Sequence, residues 1–145
     1  MTAPVPVLHA DRILSAFGYW PSFHDAEVHR AELDRGIPPS LPSVTLAIHT
    51  FDTDGTVDEK GYFRIRTSVL ITLRFGAVDD LELRDFGVQN VLSAPVLAPQ
   101  RDGRIAVELG QSFGLAGVFT CSQVESLRRA ALAISYGECA TGTLR

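Results

Sequence analysis

The sequence predicts an α+β domain built mainly from an antiparallel β-sheet of about seven strands, with an N-terminal helix. Three observations lead there. Short stretches of alternating apolar and polar residues recur along the chain, as half-buried strands require. Gly, Pro, Asp and Asn clusters separate them at hairpin-like intervals. Strands and helices do not alternate regularly, which disfavours a doubly wound parallel sheet. A second helix near the C-terminus competes with a further strand.

The first element is a helix over residues 7 to 17, "VLHADRILSAF". Val7, Leu8, Ile13, Leu14 and Phe17 form its apolar face, and Gly18 supplies the stop. Residues 26 to 35, "AEVHRAELDR", alternate as a strand, although Ser22 and Asp25 would also cap a helix. "RGIPPSLPS", residues 35 to 43, is a stiff connection, because proline fixes φ and donates nothing to a ladder. Residues 43 to 51 form a clean strand. Val44, Leu46, Ile48 and Thr50 take one face, and Thr45, Ala47, His49 and Phe51 the other.

Residues 52 to 61, "DTDGTVDEKG", read as a polar loop turning at Asp54-Gly55. Residues 62 to 75 are the longest β-prone run and belong at the centre of a sheet. Another alternating strand covers 79 to 86. A turn around Asn90 follows, then a short strand that Pro95 confines to an edge or a bulge. A turn at Asp102-Gly103 leads into a strand, and "GLAGVFTC" (114 to 121) is the next. Over 122 to 136, Ser122 and Glu125 fit a capping box, and Val124, Leu127, Ala131 and Ile134 repeat at helical spacing. The expectation there is a helix, with a strand continuing past Cys121 as its rival.

The 145 residues suit a single domain spanning 1–145. A hydrophobic share of 46% and a charged share of 21% are those of a globular chain. A net charge of −4 and scattered arginines argue against nucleic acid as a partner. No apolar run approaches the ~20 residues of a membrane span. No basic region followed by an apolar core opens the sequence, so a cytoplasmic protein with reduced Cys121 and Cys139 is expected.

The densest chemistry lies in "GYWPSFHDAEVHR", residues 18 to 30. An His-Asp dyad such as His24-Asp25 occurs in metal-dependent phosphohydrolases, but those are helical. Side chains of strand neighbours also point to opposite faces. The structural alternative is that Ser22 or Asp25 bonds the local backbone at the strand entry, with Trp20-Pro21 as a packed corner. His24, His29 and His49 lack the converging spacing of a zinc site, and no CxxC accompanies them. No metal or other cofactor is expected.

Asp52, Asp54, Asp58 and Glu59 resemble a fragment of a calcium loop without its spacing. As an acidic patch they are the best candidate for contacting a basic partner. Nucleophile elbows, Walker loops and dinucleotide fingerprints are absent, so no catalytic residue is assigned.

"YWPSFHDAEV" resembles the early block of the Imm50-type immunity proteins of bacterial polymorphic toxin systems. "ITLRF" (71 to 75), "DLELRDFGVQNV" (80 to 91) and "FTC" (119 to 121) are similar in kind. The resemblance implies a mainly β protein that binds and neutralises a cognate toxin domain without chemistry of its own. It transfers no functional residues. Beyond residue 121 the family suggests a strand where "ESLRRAALAI" reads as a helix. The alternatives are a metal-dependent hydrolase using His24 and Asp25, or another bacterial binding module.

Overall fold

The computed structural model describes residues 3–131. The single helix among these residues, α1 (Asp11–Phe17), is too short to persist alone. It is held by burying Ile13 and Phe17 in the core, and it ends where Gly18, at φ 80°, donates its N–H to Leu14 O at 2.7 Å. The expected helix began at residue 7. Instead Leu8 bridges the last strand, donating to Val124 O and accepting from Ser126 N, both at 2.9 Å. An extended backbone at Leu8 cannot also be helical.

Ten strands follow: β1 (Glu27–Asp34), β2 (Ser43–Val57), β3 (Phe63–Gly76), β4 (Asp79–Arg84), β5 (Val91–Leu92), β6 (Val96–Pro99), β7 (Ile105–Leu109), β8 (Gln111–Phe113), β9 (Ala116–Cys121) and β10 (Gln123–Ala131). The count exceeds the expected seven by three: β5 and β8 have only two and three residues, and β10 takes the place of the expected C-terminal helix. Every strand pair is antiparallel. A six-stranded sheet has the order β10-β3-β2-β1-β5-β8 and a four-stranded sheet the order β4-β9-β7-β6. β3 is interior, as its composition predicts, and β6 beside Pro95 is an edge strand.

One hydrophobic core lies between the sheets and under the N-terminal segment. Val28, Leu46, Ile48, Ile71, Leu73 and Val124 enter it from the larger sheet. Val107, Leu109 and Phe119 come from the smaller sheet, and Ile13 and Trp20 from the N-terminal segment. Phe75 and Phe119 meet edge to face across it at 5.2 Å. Each such buried side chain contributes roughly 1.5–3 kcal/mol.

The expected C-terminal helix is replaced by β10 as far as residue 131, and 132 to 136 lie outside the described residues. The reason is tertiary. Val124 pairs with Phe75 and Ser126 with Leu73, both turned into the core, while Gln123 and Glu125 face outward. The open ladder of β3 offers a backbone partner for each residue, and this outweighs a helical preference of a few tenths of a kcal/mol per residue.

The polar loop also needs correction. β2 runs on to Val57, and Gly55, at φ 83°, marks a bulge within the strand. The turn itself is Asp58 to Gly61: Asp58 N–H donates to Tyr62 O at 2.8 Å and Gly61 N–H to Asp58 O at 3.0 Å. β1 pairs with β2 only as far as His49, and β10 reaches β3 only to Val69. Beyond Phe51 the β2–β3 hairpin is therefore a two-stranded ribbon among the described residues.

Candidate functional site

Residues 18 to 26 form a corner before β1. Trp20, Pro21 and Phe23 are buried, and the Trp20 and Phe23 rings meet edge to face at 5.7 Å. His24 and Asp25 sit in a turn, not on the strand, which starts at Glu27. Phe23 and Asp25 adopt φ of 61° and 65°, so the alternation argued for a strand does not apply. The two side chains converge instead: His24 Nδ1 lies 3.2 Å from Asp25 Oδ2, both in solvent. The corner is fastened by backbone. Asp25 N–H donates to Leu92 O and Leu92 N–H to Ala26 O, each at 2.9 Å, while Ser22 Oγ accepts from His24 N–H at 3.2 Å.

Asn90 completes this junction from inside. Its Nδ2 donates to Val28 O (3.3 Å) and Gly87 O (2.9 Å), and its Oδ1 accepts from Gly87 N–H (2.9 Å) and Leu115 N–H (3.1 Å). The carboxamide thus ties β1, the segment before β5 and the entry to β9. Gly114, at φ 78°, passes so close that a Cβ would strike Gln89 O and Asn90 Oδ1.

Just past the corner, a β-bulge at His29 brings two separated histidines together. The His29 and His49 rings approach to 5.8 Å, and Phe51 lies 6.1 Å from His49 on its other side. His49 Nε2 is 2.8 Å from Ser68 Oγ. Burial, and secondarily the charge of His29, push the His49 imidazole below its ordinary pKa. It is therefore neutral at pH 7. Glu27 Oε1 lies 3.9 Å from His29 Nε2. His24 lies in the turn and His29 on β1, and only His29 joins His49. Among the described residues no three His, Cys, Asp or Glu side chains gather where they could hold a metal ion.

The four acidic candidates spread along the ribbon. Asp52 is bound to the Arg66 guanidinium and accepts from Thr53 N–H at 2.8 Å. Burial pushes its carboxyl up, but the Tyr19 hydroxyl and Arg66 outweigh this and hold it below the usual carboxylate range. Asp54 lies beside the Gly55 bulge. Asp58 Oδ1 accepts from Lys60 N–H (2.9 Å) and Tyr62 N–H (3.0 Å), building the turn, and Glu59 is exposed at its tip. Asp52 and Asp58 thus have structural duties, whereas Glu59 is turned to solvent. Exposed Val57, Tyr62 and Phe63 accompany them, a feature the reading of the stretch as a polar loop missed. Cys121 is buried, and burial raises its thiol pKa, which leaves it a core residue. Cys139 lies outside the described residues.

A family model described as Immunity protein 50 matches residues 9–129, and the chain belongs to this family. The match runs from just before α1 through most of β10, and so extends past residue 121 as far as 129. No curated protein and no solved structure matches the chain.

Proposed function

We propose that the chain acts as an immunity protein in the full sense: it binds a cognate polymorphic-toxin domain in the cytoplasm of the producing cell and neutralises it without catalysis. The observation that carries this reading is family membership over nearly every described element. The chemistry of the surface agrees with a binding role. The His24-Asp25 pair is exposed and self-paired, and the ribbon offers aromatic side chains beside carboxylates. In this reading Asp54, Asp58 and Glu59 steer a basic partner, and Asp52 holds the ribbon in shape through Arg66.

The test is co-expression with the toxin domain encoded beside this chain's gene. Protection of the host cell and a stoichiometric complex on size-exclusion chromatography are expected. Absence of a complex on mixing would overturn the reading, as would toxicity that the chain fails to relieve. A metal-dependent hydrolase using His24 and Asp25 would instead purify with stoichiometric zinc, manganese or iron by elemental analysis.

A further inference from the structure

The β2–β3 hairpin changes character where the rest of its sheet leaves it. Thr50 and Val69 are buried, but from Phe51 to Ser68 no residue is buried among those described. The flanking strands give out at the same level, β1 at His49 and β10 at Val69. The ladder is interrupted as well. Register shifts fall between Asp52 and Thr53 and again between Thr53 and Val57. Past Phe51 the pairs that remain are Asp52 with Thr67, Thr53 with Ile65, and Val57 with Phe63. A two-stranded hairpin that buries no face is only marginally stable in water, so this one needs a further tie.

That tie lies at the first interruption. Asp52 faces Thr67 and Thr53 faces Ile65, so Arg66 is the extra residue of a β-bulge, a device that re-aims one side chain. Its guanidinium meets the Asp52 carboxylate. The same carboxylate accepts from Thr53 N–H at 2.8 Å and from the Tyr19 hydroxyl. Tyr19 belongs to neither strand. It follows Gly18, whose left-handed backbone ends α1, and its ring lies 6.1 Å from that of buried Phe17. The ring therefore fastens Tyr19 to the core and the hydroxyl fastens it to the ribbon. The Asp52 side chain is only 19% exposed, which partly shields these charge-assisted bonds from water.

We propose that the ribbon beyond Phe51 is a hinged arm bending at the Arg66 bulge, and that Tyr19, Asp52 and Arg66 form the catch that holds it to the corner after α1. With the catch closed, the Tyr19 hydroxyl joins the body to β2 and Arg66 joins β2 to β3, so both strands are fastened at one point. With the catch open, the arm keeps only its interrupted ladder. Local units of this kind open at free energies well below that of global unfolding. Exposed Val57, Tyr62 and Phe63 ride at the end of the arm, and the catch sets how rigidly they are presented. A closed arm meets a partner already ordered, which lowers the entropic cost of binding. The device belongs to the free protein and operates with or without a toxin.

Amide hydrogen exchange on the full chain, resolved residue by residue by NMR, tests the proposal, with a thermal melt of each variant. In wild type the amides of residues 53–57 and 63–66 should exchange faster than those of 44–48 and 70–74. Tyr19→Phe removes only the hydroxyl. It should speed the first group about 10-fold or more, the loss of one hydrogen bond to a charged group, with the second group within about twofold and the melt near wild type. Should Tyr19→Phe disturb the corner enough to prevent folding, Arg66→Gln, at a position 55% exposed, carries the test with the same expected pattern. One exchange rate for both groups in wild type would mean that the ribbon is no separate arm. Equal acceleration of both groups in the variants, or none in either, would mean that these side chains are no catch. Each of these results overturns the proposal and leaves the immunity reading intact.

Discussion

The two faces of the six-stranded sheet are made by alternate residues of the same strands, yet they are different materials. The inner row of Val28, Ile48 and Ile71 is sealed, with none of the three more than 2% exposed. One residue away, Glu27, His49 and Leu70 form a row of mixed polarity. His49 is only 8% exposed, shielded by His29 and Phe51 on the same face, whereas Phe113 at the end of the row stands open. The inner face stores the folding energy. The outer face packs as well along β2, where Thr45, Ala47 and His49 are each no more than 8% exposed, and opens only toward the β8 edge.

That contrast is broken most severely where the backbone has no room. Gly114→Ala would force a Cβ into Gln89 O and Asn90 Oδ1 at a left-handed φ, and a loss of about 3 kcal/mol or more is expected. Urea unfolding would show it, and an unchanged midpoint would contradict the close approach. Leu46→Ala, at an inner position fully withdrawn from water, should cost about 2–5 kcal/mol. Its neighbour on the other face sharpens the comparison: Thr45, also buried at 7% exposure, loses only a methyl and a hydroxyl on Thr45→Ala, and a smaller cost of about 1 kcal/mol is expected. Equal effects at the two positions would mean that the outer face carries as much packing energy as the inner one.

Asn90→Ala removes four hydrogen bonds at the junction of β1, β5 and β9, and about 2–4 kcal/mol is expected from the stranded buried groups. A smaller effect belongs to His49. Its folded pKa lies below the ordinary 6.5, so the unfolded chain takes up the proton first as pH falls. Stability should therefore drop as pH passes down through 6.5 and level off below the folded pKa. The groups facing this imidazole are His29, Glu27, which pairs with His49 across the strands, and Ser68. His49→Gln should flatten the slope in denaturation measured between pH 7.5 and 5.5, and a persistent slope would assign it elsewhere. The smallest effects are expected at Phe113 and Phe51, where alanine should shift stability by no more than about 0.5–1 kcal/mol.

Much of the fold was legible because strands announce themselves by a period of two. β2 was readable from Val44, Leu46 and Ile48 alternating with Thr45, Ala47 and His49, and its two faces are those the alternation predicts. Gly18 marked the helix end, and Pro95 marked an edge. The ribbon was misread because Asp54-Gly55 has the composition of a turn. A bulge uses the same residues, and Asp58 to Gly61 supplied the stronger set of local hydrogen bonds. His24-Asp25 was read as diverging because it was placed on a strand; two left-handed residues put it in a turn.

By itself, then, the sequence determined a mainly antiparallel β domain, the windows of most strands, the first helix and the family. Local preference and hydrophobic period act within a few residues, and both are written in the order of the chain. Only the tertiary structure decided that residues 123 to 131 extend along β3, and that Glu27, Val91 and Phe113 share a face with His49. Those outcomes depend on partners 20 to 60 residues away or more. There the hydrogen-bond ladder and burial of Val124 outweigh a helical pattern, and register, which no local segment contains, brings the outward row together.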